Sequence, residues 1–105
     1  MLLRMLKAKI HRARLTMTDL HYEGSIGVDE DILDAANILS HEEVAVWNVT
    51  NGERLATYAL PAARKAAIGD IVIIAAFAQM SPEEAKAFKP TVILMGEGNT
   101  IARRL

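Results

Sequence analysis

Asp70-Ile71-Val72-Ile73-Ile74-Ala75-Ala76-Phe77 is the run that sets the fold class. Four β-branched residues in succession, followed by small and aromatic apolar ones, describe a strand buried on both faces, and hence the centre of a core. On the N-terminal side, residues 5 to 12 alternate Leu6, Ala8 and Ile10 with Lys7, Lys9 and His11, the period of a strand with one wet face, so that Lys9 and His11 share the polar side. Ile26 to Val28 reads as a short strand. Asp29 then caps a helix from Glu30 to about Leu39, whose apolar side is Ile32, Leu33, Ala36 and Leu39 and whose first turn carries Glu30 and Asp31, acids suited to its dipole. Val44 to Val49 and Leu55 to Leu60 form a hairpin about Asn51-Gly52, two residues that tolerate positive φ.

Beyond the core run, Ser81-Pro82-Glu83-Glu84 is a capping box with proline in the first turn, opening a helix to about Phe88 that Lys89-Pro90 ends. Thr91 to Met95 and Thr100 to Arg103 are a final strand pair, with Gly96 and Gly98 turning the chain between them. Many short strands, two brief helices and no repeats predict a small mixed-topology β-barrel rather than a βαβ sheet.

Composition narrows the function classes. The chain has 105 residues, 51% apolar and 24% charged, as expected of one soluble domain with its own core. A formal net charge of −1 leaves no basic field for nucleic acid. With no cysteine there are no disulfides and no thiolate metal sites. The apolar start Met1-Leu2-Leu3 is broken by Arg4, Lys7 and Lys9, which fits neither a signal peptide nor a membrane span, so a cytoplasmic location is expected.

Several residues invite chemistry, and each also has an ordinary explanation. In Gly24-Ser25 a serine hydroxyl beside a permissive glycine can attack the preceding carbonyl and turn an amide into an ester, yet Gly-Ser is also a common turn dipeptide. Thr57 can donate a hydrogen bond to a strained carbonyl, and Tyr58, with an ordinary phenolic acidity, can deliver a proton to a carbanion; both are also favoured strand residues. Arg54 and Lys9 can hold carboxylates or be solvated charge. His11, His21 and Glu23 lack metal-ligand spacing, so no metal is expected; His41 reads as helix-end or loop surface, and Trp47 as core or pocket wall. Gly69-Asp70 and Gly96-Glu97-Gly98 precede no helix in a phosphate-binding arrangement, and no nucleophile elbow is present.

Taken together, Met5-Leu6-Lys7-Ala8-Lys9-Ile10-His11-Arg12, His21-Tyr22-Glu23-Gly24-Ser25, Trp47-Asn48-Val49-Thr50-Asn51-Gly52-Glu53-Arg54, Thr57-Tyr58 and Ile68-Gly69-Asp70-Ile71-Val72-Ile73-Ile74 closely resemble the aspartate 1-decarboxylase family from about Met5 to Leu94. The resemblance implies a single domain folded as a double-psi β-barrel and assembled as a homotetramer with active sites between subunits. It implies self-cleavage between Gly24 and Ser25 into a β-chain of residues 1–24 and an α-chain of residues 25–105, whose Ser25 becomes a pyruvoyl cofactor. That cofactor would form a Schiff base with L-aspartate and release β-alanine and carbon dioxide, in pantothenate biosynthesis. It further implies Thr57 and Tyr22 as processing support, Tyr58 as proton donor, and Thr57, Arg54, Lys9 and Ala62 as substrate contacts.

One departure stands out. Where the family runs on from Thr57-Tyr58-Ala59-Leu60 through a turn, a strand and an Asn-Gly-Ala-Ala stretch, Pro61 here meets Ala62 directly, a shortening of about a dozen residues, the size of a hairpin. Only Ala62 stands for the end of that stretch. Either the protein carries a segment missing from the sequence as read, or the shortening is genuine. The first is expected, since loss of a barrel strand exposes backbone groups. Two other functions stay open: an uncleaved, non-catalytic barrel serving as an oligomeric binding module, and pyruvoyl chemistry on a different amino acid.

Overall fold

A computed structural model describes residues 1–14, 25–50, 52–62 and 71–105. The elements in chain order are β1 (Leu3–Arg14), β2 (Ser25–Asp29), α1 (Glu30–Ala36), β3 (Glu43–Asn48), β4 (Arg54–Ala62), β5 (Ile71–Met80), α2 (Pro82–Ala87), β6 (Thr91–Met95) and β7 (Ile101–Arg104), with a 3-10 turn at Glu97–Asn99. The strands form one mixed sheet in the order β2-β4-β3-β5-β1-β6-β7. β1 with β6 and β2 with β4 pair in parallel; the other ladders are antiparallel. The fold is thus mainly β with brief helices, as the sequence predicts. Among the described residues the ladder is open, ending at β2 and at the four-residue β7, whose residues are all exposed, where a closed barrel was expected.

The sheet is nevertheless strongly curled. Helix α1 approaches β1, β2, β4 and β6. In a flat sheet β4 and β6 would lie four strand spacings apart, about 19 Å, too far for one seven-residue helix to meet both sideways. Ile32, Leu33 and Ala36 of α1 therefore share one core with Ala8 and Ile10 of β1, Val28 of β2, Val44 and Val46 of β3, Ala59 of β4, Val72, Ile74 and Ala76 of β5 and Ile93 of β6. β5 is buried on its core face, but on the other face, where the sequence predicts equal burial, Ile71, Ile73 and Phe77 are half-buried and Gln79 is exposed. Val72, Ile74 and Ala76 join this core, while Ala75, also fully buried, lies outside it on the other face.

Helix α1 stops three residues short of the expected Leu39. Asn37 adopts a left-handed φ of 59° and donates its N–H to the Asp34 carbonyl at 3.1 Å, while the Ile38 N–H reaches the Leu33 carbonyl at 2.9 Å. This is a Schellman ending with asparagine in the place usually held by glycine. Ile38 is consequently buried and Leu39, expected on the apolar side, is 70% exposed. The other end follows expectation, with the Asp29 carboxylate accepting from the Asp31 N–H at 2.9 Å. The capping box of α2 is also present in both directions, between Ser81 and Glu84.

The β3–β4 connection spans five residues between Asn48 and Arg54, longer than a two-residue turn; Asn51 lies outside the described residues. Gly52 takes φ 80°, which requires glycine's freedom, and donates to the Asn48 carbonyl at 2.8 Å. The same loop anchors the start of β5. Val49 N–H donates to the Ile71 carbonyl at 2.8 Å, and the Thr50 hydroxyl accepts from the Ile71 N–H at 3.0 Å. The sequence is continuous through Pro61-Ala62, and β4 runs through both. Proline is tolerated there because the pairing of β4 with β3 ends at Tyr58, leaving Pro61 flanked among the described residues by β2.

β1 departs from simple alternation at two bulges. Lys7 is extra between the pairs Leu6–Phe77 and Ala8–Ala76, and His11 with Arg12 faces the single Ile73 between Ile10–Ile74 and Ala13–Val72. Arg12 takes φ 63° in the second bulge. His11 Nδ1 is buried with no hydrogen-bond partner among the described residues. Burial first, then the charges of Lys9 and Arg12, hold its imidazole below the ordinary value of 6.5.

Two outcomes follow from this packing. Ile74→Ala, at a site only 2% exposed, should lower unfolding free energy by about 2–5 kcal/mol in denaturant titration. For His11 the fold favours the neutral ring, so its contribution to stability is complete above the unfolded value of 6.5 and is lost as pH falls through the lower folded value. NMR titration should place its midpoint below 6.5, and a His11→Gln variant should lack that part of the acid destabilisation.

Candidate functional site

The antiparallel β3–β4 register, Trp47–Arg54, Val46–Leu55, Ala45–Ala56, Val44–Thr57 and Glu43–Tyr58, assigns each candidate on β4 to a face. Ala59 is fully buried in the core, so by alternation Thr57 and Leu55 lie on the core side, and Arg54, Ala56 and Tyr58 on the outer side. Lys9 joins the outer side through the row Ala56–Ala45–Ala75–Lys9, each pair directly opposed across a ladder. Arg54, Tyr58 and Lys9 therefore share a face. Arg54 and Lys9 stand on strands three places apart in the sheet, so the two cations are not brought together as a ready pair.

The parallel β2–β4 ladder sets Ser25 opposite Tyr58, the pair from which the register continues to Asp29 and Ala62. β2 begins at Ser25 itself. The backbone of the proposed cofactor residue thus lies beside Thr57-Tyr58, a juxtaposition of residues more than 30 positions apart that no local pattern announces. Thr57 adds a second mark. Its Oγ1 is buried and has no hydrogen-bond partner among the described residues. A buried hydroxyl left unsatisfied costs stability, and such atoms gather where a ligand or reacting group completes them. Tyr22 and Gly24 lie outside the described residues.

Arg54 is oriented by Trp47, whose ring lies 5.0 Å from the guanidinium carbon. Stacking holds the guanidinium plane while leaving its edge free to meet a carboxylate. Beside them is a cavity of about 200 Å³ lined by Trp47, Asn48, Val49, Gly52, Glu53, Arg54 and Ile73. It is smaller than the roughly 300–1,000 Å³ of sites for drug-sized ligands, and suits a small metabolite. Trp47 is a pocket wall, as expected. No helix among the described residues is long and apolar enough to cross a membrane.

His41 is the residue whose place the sequence does not reveal. It is exposed on the loop between α1 and β3, as expected, yet its ring stacks against Tyr58 with centroids 6.1 Å apart and planes 20° from parallel. Its φ of 70° is left-handed, and its N–H donates to the Ala59 carbonyl at 2.7 Å. The only hint available in sequence is that histidine tolerates this backbone region better than most residues.

Known proteins bear on this arrangement. The sequence model of the family described as aspartate decarboxylase matches residues 1–102. The aspartate 1-decarboxylase of Hyphomonas neptunium is 53% identical over 116 positions, covering 98% of both chains. Those of Burkholderia thailandensis and Ralstonia pickettii are 50% and 47% identical, each covering 92% of this chain and 87% and 92% of their own. Because 116 aligned positions exceed the 105 residues of this chain, at least 11 positions of the Hyphomonas protein have no counterpart, in agreement with the shortening after Pro61. With a family match over nearly its whole length, the chain belongs to the aspartate decarboxylase family.

Proposed function

We propose that this protein decarboxylates L-aspartate to β-alanine for pantothenate synthesis, acting in the cytoplasm after self-cleavage between Gly24 and Ser25. The observation that carries the reading is the β2–β4 register, which sets Ser25 opposite Tyr58, the residue that follows Thr57, whose buried hydroxyl has no partner among the described residues. Family membership and the relatives named aspartate 1-decarboxylase supply the substrate class.

In processing, the Ser25 hydroxyl would attack the Gly24 carbonyl, and the Thr57 hydroxyl would donate to the oxygen on which charge develops. A donor with no partner among the described residues is suited to that task. The residues around Ser25 fit a pyruvoyl group. It would supply a ketone that accepts the substrate amine and the electrons left when carbon dioxide departs. Tyr58, opposite Ser25, would protonate the substrate carbon. Arg54, held on Trp47, would pair with one carboxylate, and Lys9 would contact the other. Ala62, at the end of the β2–β4 ladder, stands where the resemblance implies a further substrate contact.

The reading includes the family's double-psi barrel, supported by the curl of the sheet about α1 and its two parallel ladders. It also includes a homotetramer. A neighbouring subunit would cover the outer face that carries Arg54, Tyr58 and Lys9.

Intact-mass measurement should find two polypeptides divided at Gly24-Ser25, the larger blocked at its N-terminus, and the same sample should form β-alanine from aspartate. One uncleaved chain and no β-alanine would instead mark a non-catalytic barrel. Faster turnover of a monocarboxylic amino acid would point to a different substrate. In cleaved protein, Tyr58→Phe should reduce kcat by about 10²- to 10⁴-fold, the usual range for a lost general acid. Arg54→Lys should raise the KM for aspartate by about ten-fold or more, since lysine cannot reproduce a bidentate contact.

A further inference from the structure

We propose that His41 is a positioning residue for Tyr58, a role that rests on Tyr58 being the proton donor. The ring contact itself is an offset stack within the distance at which aromatic pairs attract, with centroids 6.1 Å apart. What distinguishes it from a chance surface contact is how firmly the loop holds His41 in place. A non-glycine residue at φ 70° persists only where its surroundings over-determine it.

Those surroundings are a closed set of bonds. The His41 N–H donates to the Ala59 carbonyl at 2.7 Å, and the Ala59 N–H donates to the Glu42 carbonyl at 3.0 Å, so the loop is tied to the residue next to Tyr58 in both directions. The Glu42 carboxylate accepts from the Leu39 N–H at 3.1 Å and the Glu42 N–H donates to the Leu39 carbonyl at 3.1 Å, closing the turn around His41. Lys7 then fastens the turn to β1. As the extra residue of the first bulge, it reaches both oxygens of Glu42, at 2.8 and 2.9 Å, and each of these side chains is only 20% exposed. Buried Ile38 anchors the other end of the loop in the core.

The consequence lies at Tyr58. Its backbone is fixed by ladders to Ser25 on one side and Glu43 on the other, but a tyrosine on a strand still chooses among rotamers. The clamped imidazole removes some of that freedom, so the phenol hydroxyl returns to one position in each turnover. Proton transfer is sensitive to such placement, whereas binding of the substrate carboxylates at Arg54 and Lys9 is not.

The test separates ring from backbone. His41→Asn keeps a residue that accepts left-handed φ and removes the ring; His41→Phe keeps a ring. His41→Asn should lower kcat by about five-fold with KM changed by less than about two-fold, and His41→Phe should recover most of the loss. The chain has 2 tyrosines, so NMR of ring-labelled tyrosine gives an independent readout once Tyr58→Phe has assigned the signals. The Tyr58 signal should move in His41→Asn and return toward its original position in His41→Phe. An unchanged kcat in His41→Asn, an equal loss in both variants, or an unmoved Tyr58 signal would each overturn the role. Full activity in Tyr58→Phe would instead remove the proton-donor assignment itself, while the NMR comparison still judges the contact. Loss of activity in Tyr58→Phe with a silent His41→Asn would leave the proton donor standing and refute only the positioning role.

Discussion

The central position of β5 is the constraint on which the molecule turns. Val72, Ile74 and Ala76 fill the core on one side while Ala75 is sealed on the other, which obliges the strand to have a neighbour along each edge. β3 takes one edge and β1 the other. Among the described residues, the half of the sheet that carries Ser25, Thr57 and Tyr58 and the half that carries Lys9 are joined through this strand in the hydrogen-bonded order. Its β-branched residues suit such a position because they pack on a pleated surface at little cost in side-chain freedom.

From that centre the site is assembled by register rather than by proximity in sequence. β4 is paired antiparallel to β3 over Arg54 to Tyr58 and parallel to β2 from Tyr58 onward. The strand changes its principal partner at Tyr58, which therefore meets both ladders. Thr57, one residue earlier, turns its hydroxyl into the buried side without a partner among the described residues. A residue with two ladders beside one with an unsatisfied hydroxyl is an unusual concentration of constraint, and Ser25 lies opposite it.

The short chain changes how that constraint is met. Relatives carry at least 11 positions that this chain lacks, and here β4 proceeds through Pro61 and Ala62 alongside β2. The described ladder ends at β2 and β7. Proline at this position lacks an N–H that would otherwise need a partner.

Much of the fold was legible in sequence because it rests on local rules. The period-2 run of β1, the unbroken apolar run of β5, the Asp29 cap and the Ser81 capping box each act within a few residues. Where local rules were ambiguous, tertiary contacts decided. Asn37 ended α1 early because its left-handed turn lets Ile38 bury, and two bulges broke the alternation of β1, giving Lys7 to Glu42. The site divides in the same way. The family resemblance singled out Ser25, Thr57, Tyr58, Arg54 and Lys9 as candidates, where local pattern alone favoured an ordinary turn, strand residues and solvated charge. That Ser25 meets Tyr58, that Thr57 faces inward while Arg54, Tyr58 and Lys9 face outward, and that His41 stacks on Tyr58 depend on strand register and a loop clamp. Those are settled by pairing between distant segments, whose energy comes from burying a shared core and which no short window of sequence contains.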